Sequence, residues 1–160
     1  MRRSTVLLLL AVGMLIVWSG TASAQRPAAE TDRFSYSDSS SCGSFNDNFA
    51  GNGTVRDTTF FDSGGNPVRE HIRVSVRETD VNSRSGKTIR VHQAYTVVVN
   101  LETGFYAYNG QVYMSTGPHR SGLIHDTGHV LFDPEGNVIK QAGPHTVLAG
   151  GLAPFCQALS

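Results

Sequence analysis

Apolar and polar residues alternate with a period of two along most of this chain. The segment from Val68 to Thr79 is the clearest case, because its two sets of alternate positions differ in character. The apolar set is Val68, Ile72, Val74 and Val76. The polar set is Arg69, His71, Arg73, Ser75 and Arg77. A period of two excludes a helix and predicts a strand with one face turned inward.

Further segments repeat this alternation and are separated by turns rich in Gly, Asn, Asp and Pro. The later predicted strands are Lys87 to Asn100, Phe105 to Thr116, Leu123 to Phe132 and Val138 to Ala142. An earlier strand or pair of strands lies between Gly43 and Asp62, punctuated at Gly51-Asn52-Gly53. Short spacings between such strands favour consecutive antiparallel hairpins.

The predicted fold class is therefore all-β: one domain, residues 42–160, with an antiparallel up-and-down meander of seven or eight strands. A short helix or turn follows around Pro154 to Leu159. Closure into a barrel would protect the edge strands, and a two-sheet sandwich is the alternative.

The start of the chain predicts export. Arg2 and Arg3 precede an apolar stretch that is too short for a comfortable membrane span, and Ala22-Ser23-Ala24 supplies a cleavage site. We expect residues 1–24 to be a signal peptide, and residues 25–41 to be a flexible polar leader. A secreted, extracellular location without a membrane anchor after cleavage follows from this interpretation.

The chain has 2 cysteines, Cys42 and Cys156. In an oxidising compartment an even number of cysteines predicts a disulfide. Closing a loop of this length stabilises the fold by up to about 4.7 kcal/mol in the chain-entropy description. The pair lacks the C-x-x-C spacing of a redox site, so a structural role is predicted.

Charge gives no general attraction to polyanions. The chain has 13 Lys plus Arg and 13 Asp plus Glu, and removal of Arg2 and Arg3 leaves a slight negative excess. This balance predicts no nucleic-acid partner. One strand pair nevertheless carries a basic stripe of Arg69, Arg73, Arg77 and Arg90, joined by His92. The stripe is either a solvated outer face or a contact for an anionic partner.

Candidate chemistry comes from polar residues on the inward positions. Asp126 shares the parity of Ile124 and Val130. The predicted ligand-binding residues are Asp126, Gln93, Tyr95, Tyr106 and Tyr108. Polar groups among aromatic walls are typical of a small-molecule site. Asp126 is the candidate for a catalytic acid or base, or else a structural hydrogen-bond acceptor.

Two short motifs overlap at Asp126. Asp126-Thr127-Gly128 matches the aspartic-protease triplet, but His125 and His129 occupy flanking positions that the triplet does not favour. The same histidines imitate a zinc-binding H-E-x-x-H motif, which works on a helix. On a strand the two residues lie about 13 Å apart, so no metal site and no cofactor are predicted.

The C-terminal end carries Ala142-Gly143-Pro144-His145 and Phe155-Cys156-Gln157-Ala158-Leu159. This pattern resembles a group of small secreted actinobacterial proteins of unknown function, and the predicted architecture is similar to lipocalin-like and to dirigent or allene-oxide-cyclase-like barrels. The resemblance implies export, one disulfide and a compact β domain, and it transfers no activity.

The leading functional hypothesis is a non-enzymatic secreted module that binds a small apolar or amphipathic ligand, or a surface partner. The alternatives are a cofactor-free isomerase or cyclase of the dirigent type and a structural envelope protein. The oligomeric state stays open.

Overall fold

The computed structural model describes residues 25–116 and 122–160. The predicted signal peptide and the turn between the fifth and sixth strands, at 117–121, lie outside these ranges. Seven strands follow one another: β1 Ala28–Ser41, β2 Asn46–Phe61, β3 Pro67–Asn82, β4 Thr88–Asn100, β5 Tyr106–Thr116, β6 Gly122–Phe132 and β7 Val138–Ala142. Two short helices, α1 Thr146–Gly150 and α2 Ala153–Leu159, come last.

The strands form one antiparallel sheet in the order of the sequence. The all-β meander and the C-terminal helix are thus confirmed. Within the described ranges no ladder of hydrogen bonds joins β1 to β7, so the backbone does not close the sheet. The sheet is strongly curled, because Ser40 on β1, Glu78 on β3 and Tyr113 on β5 line the same cavity. We call the side that faces this cavity the concave face and the opposite side the convex face.

The first strand differs from the sequence-based prediction of a flexible leader. β1 pairs with β2 along its whole length, from Ala28 opposite Thr59 to Ser41 opposite Asn46. Nearly all of its side chains are exposed. Backbone pairing requires no apolar side chains, and for this reason the polar composition of residues 25–41 concealed a strand.

The glycines Gly51 and Gly53 lie inside β2 and do not interrupt it. Tyr36 lies opposite Gly51 and Phe34 opposite Gly53 on the neighbouring strand. A Cβ atom on Gly51 would lie 2.7 Å from the Tyr36 ring, and one on Gly53 would lie 2.8 Å from the Phe34 ring. The aromatic rings therefore occupy the space that the glycines leave open, and a single long strand results.

Two hairpin turns at one end of the sheet are held by the same hydrogen bonds between an aspartate and an asparagine four residues later. Asp62 accepts hydrogen bonds from the backbone and side chain of Asn66, and Asp133 does the same with Asn137. These bonds lower the pKa of both carboxyl groups. Asx-type turns of this kind fix short connections between antiparallel strands.

The core lies at the other end, where α2 packs on the concave face. Its buried residues are Ile89, Val91, Ile124, Phe155 and Leu159. The predicted disulfide between Cys42 and Cys156 is present, with Cα atoms 5.4 Å apart across 114 residues. It ties α2 to the β1–β2 turn. In addition, the buried Asn82 donates its side-chain amide to the Leu159 carbonyl at 3.0 Å, so the helix closes this end.

Candidate functional site

An apolar cavity of about 330 Å³ opens on the concave face, between β5, β6 and α1. We call it the aromatic chamber. Its lining residues are Tyr106, Tyr108, Val112, Tyr113, Asp126, Val130, Phe132 and Val147. Three of the predicted ligand-binding residues, Asp126, Tyr106 and Tyr108, are therefore brought together here.

The rings of the aromatic chamber form a continuous cluster. Tyr106 stacks on Phe132 with centroids 4.9 Å apart, and Tyr108 meets the edge of Phe132 at 5.7 Å. Tyr95 extends the cluster from β4, with its ring 5.5 Å from that of Tyr108. Burial, with a smaller contribution from Tyr108, raises the pKa of Tyr95. Such walls suit an apolar or cationic guest, because aromatic faces carry partial negative charge.

A β-bulge decides which residues of β5 face this chamber. The β5–β6 register shifts between Gln111 and Tyr113, so that Tyr113 lies opposite Asp126. Simple alternation from Tyr106 would turn Tyr113 outward. The bulge instead allows both Val112 and Tyr113 to line the chamber. Tyr113 is consequently a site residue that strict parity missed.

Asp126 is buried, with 3% of its surface exposed, at the inner wall of the chamber. Its Oδ2 accepts a hydrogen bond from the backbone N–H of Val147 at 2.9 Å, and its Oδ1 lies 3.2 Å from His145 Nδ1. His145 Nε2 lies 3.3 Å from the carbonyl oxygen of Ala142. His145 therefore links the Asp126 carboxyl group to the backbone at the end of β7.

Two glycines permit this arrangement, because the chain after β7 passes very close to β6. A Cβ atom on Gly128 would lie 2.0 Å from the Ala142 carbonyl oxygen, and one on Gly143 would lie 2.3 Å from that of Thr127. Both glycines adopt positive φ angles, 133° and 109°. Close approach of the two backbones places His145 opposite Asp126.

The short motifs around Asp126 do not form the sites that they imitate. His125 and His129 lie on one strand, and His129 Nδ1 contacts the side chain of Asn109 at 2.8 Å. In the part of the chain that the structure describes, no group of three His, Cys, Asp or Glu side chains is arranged to hold a metal ion. The partner of Asp126 is a histidine, where an aspartic protease would have a second aspartate.

A second, smaller cavity of about 140 Å³ lies deeper on the concave face, beside α2. Its lining residues are Ser40, Asp47, Phe49, Glu78, Asp80, Tyr113, Leu152 and Phe155. We call it the acidic cavity. Tyr113 lines both cavities, so the acidic cavity adjoins the aromatic chamber.

The carboxyl groups of the acidic cavity have few hydrogen-bond donors around them. Asp80 is 1% exposed, and its oxygens have no hydrogen-bond partner other than the neighbouring Glu78 carboxyl group. Asp47 Oδ1 has no hydrogen-bond partner. Glu78 accepts a short hydrogen bond from the Tyr36 hydroxyl. Burial, with smaller contributions from Glu78 and Asp47, raises the pKa of Asp80 to about 8. Burial also raises the pKa of Asp47 and of Tyr36, and the proximity of Glu78 adds to both effects.

The predicted basic stripe lies on the convex face. Register places Arg73 opposite Arg56, and Arg77 opposite His92. The basic residues on this face are Arg33, Arg56, Arg69, Arg73, Arg77, Arg90 and Lys140. Among the described strand residues no carboxylate lies on this side. The anionic partner stays a prediction.

The other two predicted ligand-binding residues, Gln93 and Tyr95, are not among the residues that line the two cavities. Gln93 is buried on β4, opposite Val76, and Tyr95 belongs to the aromatic cluster. The residues that sequence reasoning missed are Tyr36, Asp47, Asp80, Tyr113 and His145. The alternation on β3 already placed Asp80 on the same face as Glu78, and that was the available signal. No local signal joins these residues across strands.

Comparison of the chain with protein-family models, with curated proteins and with solved structures finds no match. The resemblance to small actinobacterial proteins and to lipocalin-like or dirigent-like barrels therefore stays a prediction. No helix in residues 25–116 and 122–160 is long and apolar enough to cross a membrane.

Proposed function

We propose that this chain is a secreted, non-enzymatic binding module whose concave face holds a small apolar or amphipathic molecule. The observation that carries the proposal is the aromatic chamber, about 330 Å³ in volume, with Tyr106, Tyr108 and Phe132 as its walls. Its size and its mixture of apolar walls with one buried carboxylate are those of small-molecule sites.

A barrel-like enclosure is part of this proposal. The shared cavity between β1, β3 and β5 supports it, because strands that are four positions apart meet around a volume of only about 140 Å³. A guest in the aromatic chamber would contact β5, β6 and α1 at once and would be shielded from water on those sides.

Native mass spectrometry of protein exported by its own host tests the proposal, followed by analysis of any molecule that denaturation releases. We expect a stoichiometric small molecule on the wild type. Phe132→Ala should lose it, because one wall of the chamber is removed. Phe60→Ala is the matched control: Phe60 packs against His71 and Arg69 on the convex face, so this variant should retain the molecule. A bare mass for the wild type contradicts a tightly held ligand.

The second candidate function is a cofactor-free isomerase or cyclase that uses Asp126. The buried Asp126–His145 pair at the wall of the chamber favours it, since such a pair can hold and exchange a proton. Asp126→Asn should then abolish turnover of a bound molecule while leaving it bound. Conversion that persists in Asp126→Asn would contradict this role.

A further inference from the structure

We propose that the ligand is an organic cation, and that the acidic cavity binds its ammonium group while the aromatic chamber holds its apolar body. This inference rests on the proposed function and specifies the ligand class. Tyr113 lines both cavities, and in this proposal one amphipathic molecule spans them past its ring.

The carboxyl group of Asp80 has no basic or amide partner. It is 1% exposed and lines the acidic cavity, and the side chain that it meets, Glu78, is itself a carboxyl group. Buried polar groups in proteins are almost always hydrogen-bonded. An ammonium group supplies three donors and a positive charge, and therefore satisfies the oxygens of Asp80 and Asp47 together.

Among the described residues, no cation lies beside Asp80. The groups around it are acidic, apolar or neutral polar on every described element. They are Tyr36 and Ser40 on β1, Asp47 on β2, Glu78 on β3, Ile89 on β4, Tyr113 on β5, and Phe155 and Leu159 on α2. In the described part of the chain no Arg or Lys forms an ion pair with these carboxylates, because the basic residues of the strands lie on the convex face.

The strands place negative charge along the whole concave face. Its strand carboxylates are Glu30, Asp32, Asp38, Asp47, Asp57, Glu70, Glu78, Asp80 and Asp126. A concave surface lined by one sign of charge attracts the opposite sign. The surrounding rings of Phe49, Tyr113 and Phe155 add cation–π and apolar contacts, which favour an organic cation over a bare metal ion.

The experiment is isothermal titration calorimetry with three probes that share one phenyl ring and differ in the head group. Phenethylammonium carries a positive charge, phenethyl alcohol is neutral, and hydrocinnamate is negative. We expect phenethylammonium to bind at least about tenfold more tightly than the alcohol, and hydrocinnamate to bind most weakly.

Asp80→Asn should reduce the ratio of the ammonium probe's affinity to the alcohol's affinity to about one. Glu78→Gln is the second variant and should reduce the same preference. Glu102→Gln is the matched control, because Glu102 lies in the exposed turn between β4 and β5, at the end of the sheet away from Asp80. It should change none of the three affinities by more than about twofold.

A second readout is the number of protons released on binding, obtained by repeating the titration in buffers of different ionisation enthalpy. Phenethylammonium should displace a proton from Asp80 near neutral pH, and the alcohol should displace none. Asp80→Asn should reduce this release.

The outcomes separate the two proposals. If the alcohol binds as tightly as the ammonium probe, or if hydrocinnamate binds most tightly, the organic-cation inference is wrong and the binding module stands. If none of the probes binds and no molecule is released from the native protein, both are wrong.

Discussion

The concave and convex faces belong to the same strands and yet differ in charge, in burial and in what covers them. The concave face carries the strand carboxylates, the aromatic cluster and the core beneath α2. The convex face carries the arginines of β1 to β4 and is largely exposed.

Because alternate residues of a strand lie on opposite faces of the sheet, the same strands can carry two surfaces of different composition. Neighbouring residues such as Arg77 and Glu78 point to opposite sides, so charges that nearly cancel in composition are separated in space. An overall charge near zero therefore conceals an acidic interior and a basic exterior. The concave face also packs against α2 and the buried core, whereas the convex face is largely exposed.

Among variants that test the packing of α2 on the concave face, loss of the disulfide should have the largest effect. The double variant Cys42→Ser and Cys156→Ser should lower the free energy of unfolding by about 2–5 kcal/mol, because α2 is then held only by noncovalent contacts. Urea denaturation of the variant and the wild type measures this difference. An unchanged midpoint would show that the helix needs no covalent tie.

A second test compares two leucines of the C-terminal segment. Leu159→Ala should cost about 2–5 kcal/mol, because Leu159 is fully buried against the concave face. Leu152→Ala should change stability by less than about 0.5 kcal/mol, because Leu152 is 51% exposed. Thermal or chemical denaturation of the two variants provides the comparison, and equal losses would contradict the assignment of the core.

The acidic cavity makes stability depend on pH. Asp80 has a pKa of about 8 in the folded protein, against an ordinary value of 3.8. Between these values the folded state binds more protons than the unfolded state, so stability falls as the pH rises from about 4 to about 8.

Asp80→Asn should flatten this decline and stabilise the ligand-free protein at the upper end of the range by about 1–3 kcal/mol, since an uncompensated buried carboxylate is removed. Asp38→Asn, on the exposed strand β1, is the control and should leave the decline unchanged. The free energies of unfolding of the wild type and both variants, measured across this pH range, test the prediction. A wild-type free energy of unfolding that rises toward pH 8 would contradict it.

The smallest expected effect belongs to the convex face. Arg73 lies directly opposite Arg56 across β2 and β3, so Arg73→Glu replaces a like-charge pair with an ion pair. We expect a gain of about 0.2–1 kcal/mol at low salt that disappears at high salt. Arg33→Glu lies opposite Thr54 and should give no such gain. Equal effects of the two variants at low salt would argue against a pairwise origin.

Much of the fold could be predicted because the signals for β2 to β7 are local. The alternation of Val74 and Val76 with Arg73 and Arg77 marks β3, and the Asp133 to Asn137 turn marks the end of β6. The candidate site was predicted in part. Asp126, Tyr106 and Tyr108 were found by parity, while Tyr113 was missed because a single bulge reverses the parity beyond it.

The sequence by itself determined the meander, its turns, the two-sided character of the strands and the pairing of Cys42 with Cys156. Each of these follows from residues that are close in the chain or, for the disulfide, from the presence of just 2 cysteines. Only the tertiary structure decided that residues 28–41 form a strand, that His145 pairs with Asp126, and that Tyr36, Asp47, Asp80 and Tyr113 gather around one cavity. These depend on register, bulges and curvature, which are set by contacts between distant segments and leave no local pattern in the chain.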